Sequence, residues 1–280
     1  MIERMLICTD LDRTLLPNGS QMESPGARER FAVLAALPET TLAYVTGRHR
    51  ALVEEAITGY QLPFPDFLIA DVGTTIYEFS GQDWHRWAEW DREIAPDWKG
   101  KAVEDLTLLF RDLSDLKLQE REKQGRFKLS YYVALSADRI SMFDKMRVRL
   151  EANDVQANLI WSVDEPVGMG LLDVLPAGAT KFHAVEFLMG QLEFKLEDTV
   201  FAGDSGNDLA VLTSRIQSVL VANASPEVKA EARQMADRLG TSASLYFAQG
   251  NFMGMNGNYS AGILEGVCHF LPKIRKWIEI

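Results

Sequence analysis

Short, mainly apolar runs that stop abruptly at acidic or hydroxyl residues recur along this chain of 280 residues. Residues 5–9 run into Asp10, residues 41–45 into Thr46-Gly47-Arg48, and residues 199–202 into Gly203-Asp204. Two more such runs cover residues 67–70, ahead of turn residues near Gly73, and 218–222. A run that does not alternate between apolar and charged positions has no face for water and predicts a strand buried on both sides. Stretches with helical character lie between them, at about 25–37, 51–58, 181–189 and 261–270. Strands that alternate with helices in this way predict a doubly wound, Rossmann-like parallel sheet in an α/β domain.

The pattern changes between residues 81 and 171, where charge and tryptophan are dense. A helix is expected at 101–113, a half-exposed strand with alternating polarity at 128–135, a helix at 139–152 and a strand at 156–163. Alternation with one wet face suits an antiparallel sheet, so 81–171 reads as an α+β domain inserted into a core made of 1–80 and 172–280. Trp84, Trp87 and Trp90 recur at helical spacing; a sugar ring can stack on such residues, but packing of the insert against the core is the favoured reading.

Composition narrows the partners. The net charge of −11, from 40 acidic and 29 basic residues, opposes binding to nucleic acid or to anionic membranes. Cys8 and Cys268 each lie in an apolar run and read as buried thiols, not as a disulfide. Residues 1–5 lack secretory-signal features and no window reaches the length of a membrane span, so the cytoplasm is the expected compartment. An anionic substrate here would need local cations, from a metal or from placed Lys and Arg side chains.

Four clusters carry candidate chemistry. Asp10 and Asp12 follow a buried strand, two residues apart, and can divide attack or metal binding from proton transfer; an ordinary acidic loop is the bland alternative. Thr46-Gly47-Arg48 offers a hydroxyl, an exposed N–H and a guanidinium to an anion, or else a plain turn with Thr46 as helix cap. Gly203-Asp204-Ser205-Gly206-Asn207-Asp208 concentrates hard oxygen donors that suit magnesium, although Asx-rich turns look similar. Lys181, at a helix start, can neutralise a phosphate or a carboxylate pair, but a lone lysine is usually just solvated. The four histidines show no metal-ligand spacing.

Taken in order, Asp-x-Asp-x-Thr, Thr-Gly-Arg, lysine and Gly-Asp-Ser-x-Asn-Asp resemble the haloacid dehalogenase superfamily of phosphatases. The insert between the second motif and the lysine is similar to the large α/β cap of the branch holding Cof-like, phosphomannomutase and sucrose-phosphate phosphatases. Leu129-Ser130-Tyr131-Tyr132 after Lys128, residues 172–176, the 203–208 loop and residues 261–266 look like the sucrose-phosphatase group. The resemblance implies a Mg2+-dependent phosphoric monoester hydrolase acting on a sugar phosphate such as sucrose-6-phosphate. It implies Asp10 as nucleophile and Asp12 as general acid–base. Metal binding would fall to Asp10, Asp12 (through its carbonyl), Asp204 and Asp208. Phosphate or substrate contacts would come from Thr46, Gly47, Arg48, Lys181 and Asn207; in the cap, Lys128, Ser130 and Tyr132 alternate along one strand and offer polar groups to a sugar, or else form a solvated sheet face. Coupling to a sugar-phosphate synthase is compatible with it. Rival readings are a mannosylfructose or mannosylglycerate phosphate phosphatase, a phosphomannomutase-like phosphotransferase, and a non-catalytic phosphosugar-binding protein. Two positions depart from the pattern: Arg13 stands where relatives often carry glycine or asparagine, and Phe182 where glycine is usual.

Overall fold

The structure, a computed structural model, describes residues 4–164 and 167–279; residues 1–3 of the opening segment lie outside the described residues. Strand β1 (Met5–Thr9), helix α1 (Ala27–Ala35), β2 (Thr40–Val45), α2 (Arg50–Tyr60) and β3 (Phe67–Ala70) alternate as the apolar pattern predicts. Every residue of β1 and β3 is buried. The chain then reverses into β4 (Thr75–Ser80) and β5 (Asp83–Arg86), a hairpin that extends the same sheet antiparallel. Its two turn residues, Gly81 and Gln82, have φ of 59° and 71°, the left-handed pair that matches the twist of a tight hairpin.

The second compact unit is Trp87–Thr180, and the first combines Met1–Arg86 with Lys181–Ile280. The second contains α3 (Ala88–Ile94), α4 (Val103–Phe110), β6 (Lys117–Leu118), β7 (Leu129–Ala134), α5 (Arg139–Ala152), β8 (Ala157–Asp164) and β9 (Met169–Pro176). Its strands form an antiparallel sheet in the order β6-β7-β9-β8. Leu129, Tyr131, Val133, Leu172 and Val174 are buried on one face, as are Leu106, Phe110, Met142, Met146 and Leu150 of α4 and α5. Residues 172–176, which the sequence reading joins to the returning core, lie in β9 and pair on both sides with insert strands. The tryptophan stripe also dissolves: Trp84 is on β5, Trp87 precedes α3 and only Trp90 is helical. A three-residue spacing is shared by helices and by strand–turn–helix junctions, and the hairpin uses it for the latter.

The first unit resumes with α6 (Lys181–Gln191), β10 (Thr199–Gly203), α7 (Leu209–Leu212), β11 (Gln217–Leu220), α8 (Pro226–Leu239), β12 (Leu245–Phe247), α9 (Ser260–Phe270) and α10 (Arg275–Ile278). Its eight strands are ordered β12-β11-β10-β1-β2-β3-β4-β5, parallel from β12 to β3. Crossing from β1 to β2 on one side and back to β10 on the other makes β1 the centre of the sheet, where a doubly wound fold opens its crevice. Helix α9 lies so near β11 that a Cβ on Gly266 would stand 2.1 Å from a Val219 methyl carbon. Among the described residues, no helix is long and apolar enough to cross a membrane.

Candidate active site

The carboxyl ends of β1 and β10 are neighbours, and Asp10 N donates to Ala202 O at 2.9 Å. The register therefore places Asp10, just past β1, beside the Gly203-Asp204 end of β10. Lys181, the first residue of α6, reaches in and donates to Asp10 Oδ1 and Asp208 Oδ1, both at 2.7 Å, with a longer bond of 3.4 Å to Asn207 Oδ1. Thr14 Oγ1 bridges Asp10 Oδ2 and Asp204 Oδ1, each at 3.3 Å. Asp208 is held from the other side: Asp204 N, Ser205 N and Ser205 Oγ all donate to its Oδ2. The 203–208 segment is thus an Asx-type loop, folded around one of its own carboxylates.

Asp10, Asp204 and Asp208 each bring a carboxylate oxygen within 4.8 Å of the others, and all three residues are buried. Burial pushes the Asp10 carboxyl up to about 7; Lys181 pulls it down, and the Asp208 charge adds to the rise. Burial and then Asp208 also push Asp204 up to about 6, against the pull of the Arg13 guanidinium. Burial works against a charged Lys181, but Asp10 and Asp208 outweigh it and hold its ammonium above the usual lysine range. Three buried carboxylates with one buried cation retain unbalanced negative charge. Hard oxygen donors, no nitrogen or sulfur, and excess negative charge fit a divalent metal ion of the magnesium class. The cluster can hold such an ion.

Gly203 makes this packing possible. A Cβ there would lie 2.7 Å from Asp208 Cγ and Oδ2, so any side chain would displace that carboxylate. Gly203→Ala is expected to weaken divalent-metal binding by about tenfold or more, as loss of ligand support commonly does, and calorimetric metal titration would show it.

Arg48 is paired with a carboxylate. Its Nε and Nη2 donate to Asp12 Oδ2 and Oδ1 at 2.8 and 2.6 Å, a two-pronged ion pair. Burial alone would raise the Asp12 carboxyl, but the bonds from Arg48, helped by Asn18, hold it below the usual range. Thr46 is fully buried at the end of β2, and its Oγ1 accepts from Arg48 N at 3.2 Å; the helix cap is His49, not Thr46. Gly47 is exposed at the same turn. Phe182 sits half-buried in the first turn of α6 and leaves both short Lys181 bonds intact.

Lys128, Ser130 and Tyr132 belong to the second unit. Lys128 is buried just ahead of β7, Ser130 Oγ donates to Asp173 Oδ1 at 2.5 Å, and Tyr132 links Glu120 and Lys123. The core unit thus gathers Asp10, Asp204, Asp208, Lys181 and Asn207 into one network and joins Asp12 to Arg48. Sequence reasoning passed over Asn18 and Asn223. Asn18 donates to Asp12 Oδ1 and accepts from Arg13 N, and Asn223 donates to Arg13 O while accepting from Tyr259 N. Asn223 had one faint signal, its place just beyond the buried run 218–222.

The chain has recognisable relatives. A sequence model of the family described as sucrose-6F-phosphate phosphohydrolase matches residues 3–271. A protein of Nitrosococcus oceani named only as a HAD-like hydrolase is 52% identical over all of this chain and 75% of its own length. The mannosylfructose-phosphate phosphatase of Agrobacterium fabrum is 27% identical over 95% of this chain and 96% of that protein. Among solved structures, the sucrose-phosphatase of Synechocystis sp. PCC6803 in complex with sucrose and phosphate has the same fold. It matches with a TM-score of 0.72 and 24% identity, over 96% of this chain and 98% of that one. With a family match along almost the whole sequence and a fold to suit it, the chain belongs to the sucrose-6F-phosphate phosphohydrolase family and is a sugar-phosphate phosphatase of the haloacid dehalogenase type.

Proposed function

We propose that this phosphatase hydrolyses a disaccharide phosphate of the sucrose-6-phosphate kind, with Mg2+, through a phosphoryl group carried on Asp10. The observation that carries the mechanism is the Lys181 bridge, which holds Asp10 and Asp208 at 2.7 Å each beside Asp204. An Asp10 oxygen attacks phosphorus and the bond from phosphorus to the sugar oxygen breaks. Asp12 gives that oxygen its proton. Water then attacks the same phosphorus, Asp12 takes the water's proton, and the bond to Asp10 breaks to release phosphate. Lys181, Thr46, Gly47 and Asn207 steady the phosphoryl oxygens. Asp10, Asp204, Asp208 and the Asp12 carbonyl would hold the Mg2+, which when bound offsets the charge between anionic nucleophile and anionic substrate.

Arg48 acts on Asp12 in this reading, not on phosphate. The pair keeps Asp12 as a carboxylate, the form the water-attack half needs. The Trp87–Thr180 unit serves as the specificity domain, with Lys128, Ser130 and Tyr132 as its candidate sugar contacts. Mannosylfructose phosphate is the second substrate reading, supported by the near end-to-end likeness to the Agrobacterium enzyme. Two buried thiols and no disulfide among the described residues suit the cytoplasm.

A phosphate-release screen over disaccharide and monosaccharide phosphates, with Mg2+ and with chelator, tests this. Highest kcat/KM on a disaccharide phosphate, lost in chelator, is the expected result. Preference for monosaccharide phosphates would overturn the substrate, and full activity in chelator would overturn the metal.

A further inference from the structure

Arg13 is an unusual residue in an unusual conformation. Its φ is 60°, in the left-handed region that favours glycine and asparagine, where other side chains carry strain. The backbone is held there from two sides: Arg13 N donates to Asn18 Oδ1 at 2.8 Å, and Arg13 O accepts from Asn223 Nδ2 at 2.6 Å. Asn18 also donates to Asp12, so the turn is tied directly to the aspartate it follows. The side chain then reaches Asp204, where Nε stands 3.5 Å from Oδ2. About half of the Arg13 side chain is exposed, whereas that of Asp204 is 3% exposed. A guanidinium that solvent can reach thus sits at the mouth of a buried carboxylate.

The charges explain what such a residue does. When fully ionised, Asp10, Asp204 and Asp208 carry three negative charges and Lys181 one positive; Arg13 brings the group to −1. A divalent ion arriving at Asp204 meets a site already partly neutralised and must displace or lie beside the guanidinium. From this we infer that Arg13 is a built-in counter-ion for Asp204 that stabilises the metal-free site and weakens its hold on the divalent cation. This rests on the metal reading of the site above and deepens it. Arg13 acts through Asp204 and is a positioning residue, not a catalytic one. The consequence is a phosphatase whose metal exchanges readily and whose metal-free form stays folded.

Isothermal titration of Mg2+ alone into wild type, Arg13→Asn, Arg13→Gly and Arg13→Lys at low ionic strength tests this, with metal-free and metal-loaded melting temperatures as a second readout. Asn and Gly both suit a φ of 60°, so either variant can stand in for the other should one fail to fold. Both are expected to bind Mg2+ about three- to tenfold more tightly than wild type, a gap that shrinks in 0.3 M salt as screening removes the repulsion. Arg13→Lys, which keeps the charge, is expected to stay within about twofold of wild type. The melting-temperature rise produced by Mg2+ should be larger in Asn and Gly variants than in wild type. Wild type and neutral variants with equal or weaker Mg2+ affinity would overturn the role of Arg13. Absence of Mg2+ binding to wild type itself would overturn the metal reading, and this inference with it.

Discussion

Asp10→Asn is expected to abolish Mg2+-dependent phosphate release, with kcat lower by about 10^4-fold or more, the scale seen when a nucleophile is removed. Asparagine keeps the shape of the side chain and an oxygen for the 2.7 Å bond from Lys181, but its amide cannot attack phosphorus. The fold should survive, and the physical reason is in the charge. Burial pushes the Asp10 carboxyl from 3.8 up to about 7, so its ionised form opposes folding of the metal-free protein as pH rises through 7. Replacing it with a neutral group relieves that opposition at pH 8, and the metal-free melting temperature should hold or rise there. Phosphate-release kinetics and thermal denaturation on the same sample separate chemistry from folding. Unchanged turnover would sink the nucleophile assignment.

Lys181→Ala has the opposite signature, losing both activity and stability. The side chain is 2% exposed and bridges two buried carboxylates. Removing one member of a buried ion pair leaves the other uncompensated, at a cost of about 3–5 kcal/mol. The pH dependence has a definite sign. At low pH, with Asp10 protonated, the lysine contributes least; above about 7, where Asp10 ionises even with the lysine present, its loss exposes two facing carboxylates. The gap in metal-free melting temperature between wild type and variant should therefore widen from pH 6 to 8.5. Mg2+ should narrow it, since a divalent ion supplies the missing positive charge. Phosphate release should fall by about 10^2- to 10^3-fold, as for loss of one preorganised donor. A gap that neither pH nor Mg2+ alters would assign the lysine to packing alone.

The legible part of this protein was local. A strand buried on both faces announces itself by mainly apolar residues with no charged position among them. Five such runs, with the acids and hydroxyls at their ends, outlined the parallel sheet and the positions of Asp10, Thr46 and Asp204. Helix α5 was read to the residue, since its periodicity runs over 14 positions. The hairpin of β4 and β5 was less legible: its strands mix polar and aromatic residues, and its turn, Gly81-Gln82, lacks the strongest pairing of turn residues. The partner of Arg48 is not legible either, because a guanidinium near a strand end suits a phosphate as well as it suits a carboxylate.

Local pattern was enough for five buried strands, for several helices, and for the acidic and hydroxyl groups that stand where strands stop. Those are short-range properties, set by side-chain periodicity and backbone preference. Only the tertiary structure decided the partners. The parallel pairing of β1 with β10 brings together aspartates almost two hundred residues apart, and Lys181 meets Asp10 across 171 positions. Strand β9 joined the insert's sheet, though its apolar run would suit either sheet, because hydrogen bonds on both its edges were available there. The same closure turned Arg48 onto Asp12 and Arg13 toward Asp204. Contacts of this kind depend on sheet order and strand register, which no local pattern encodes.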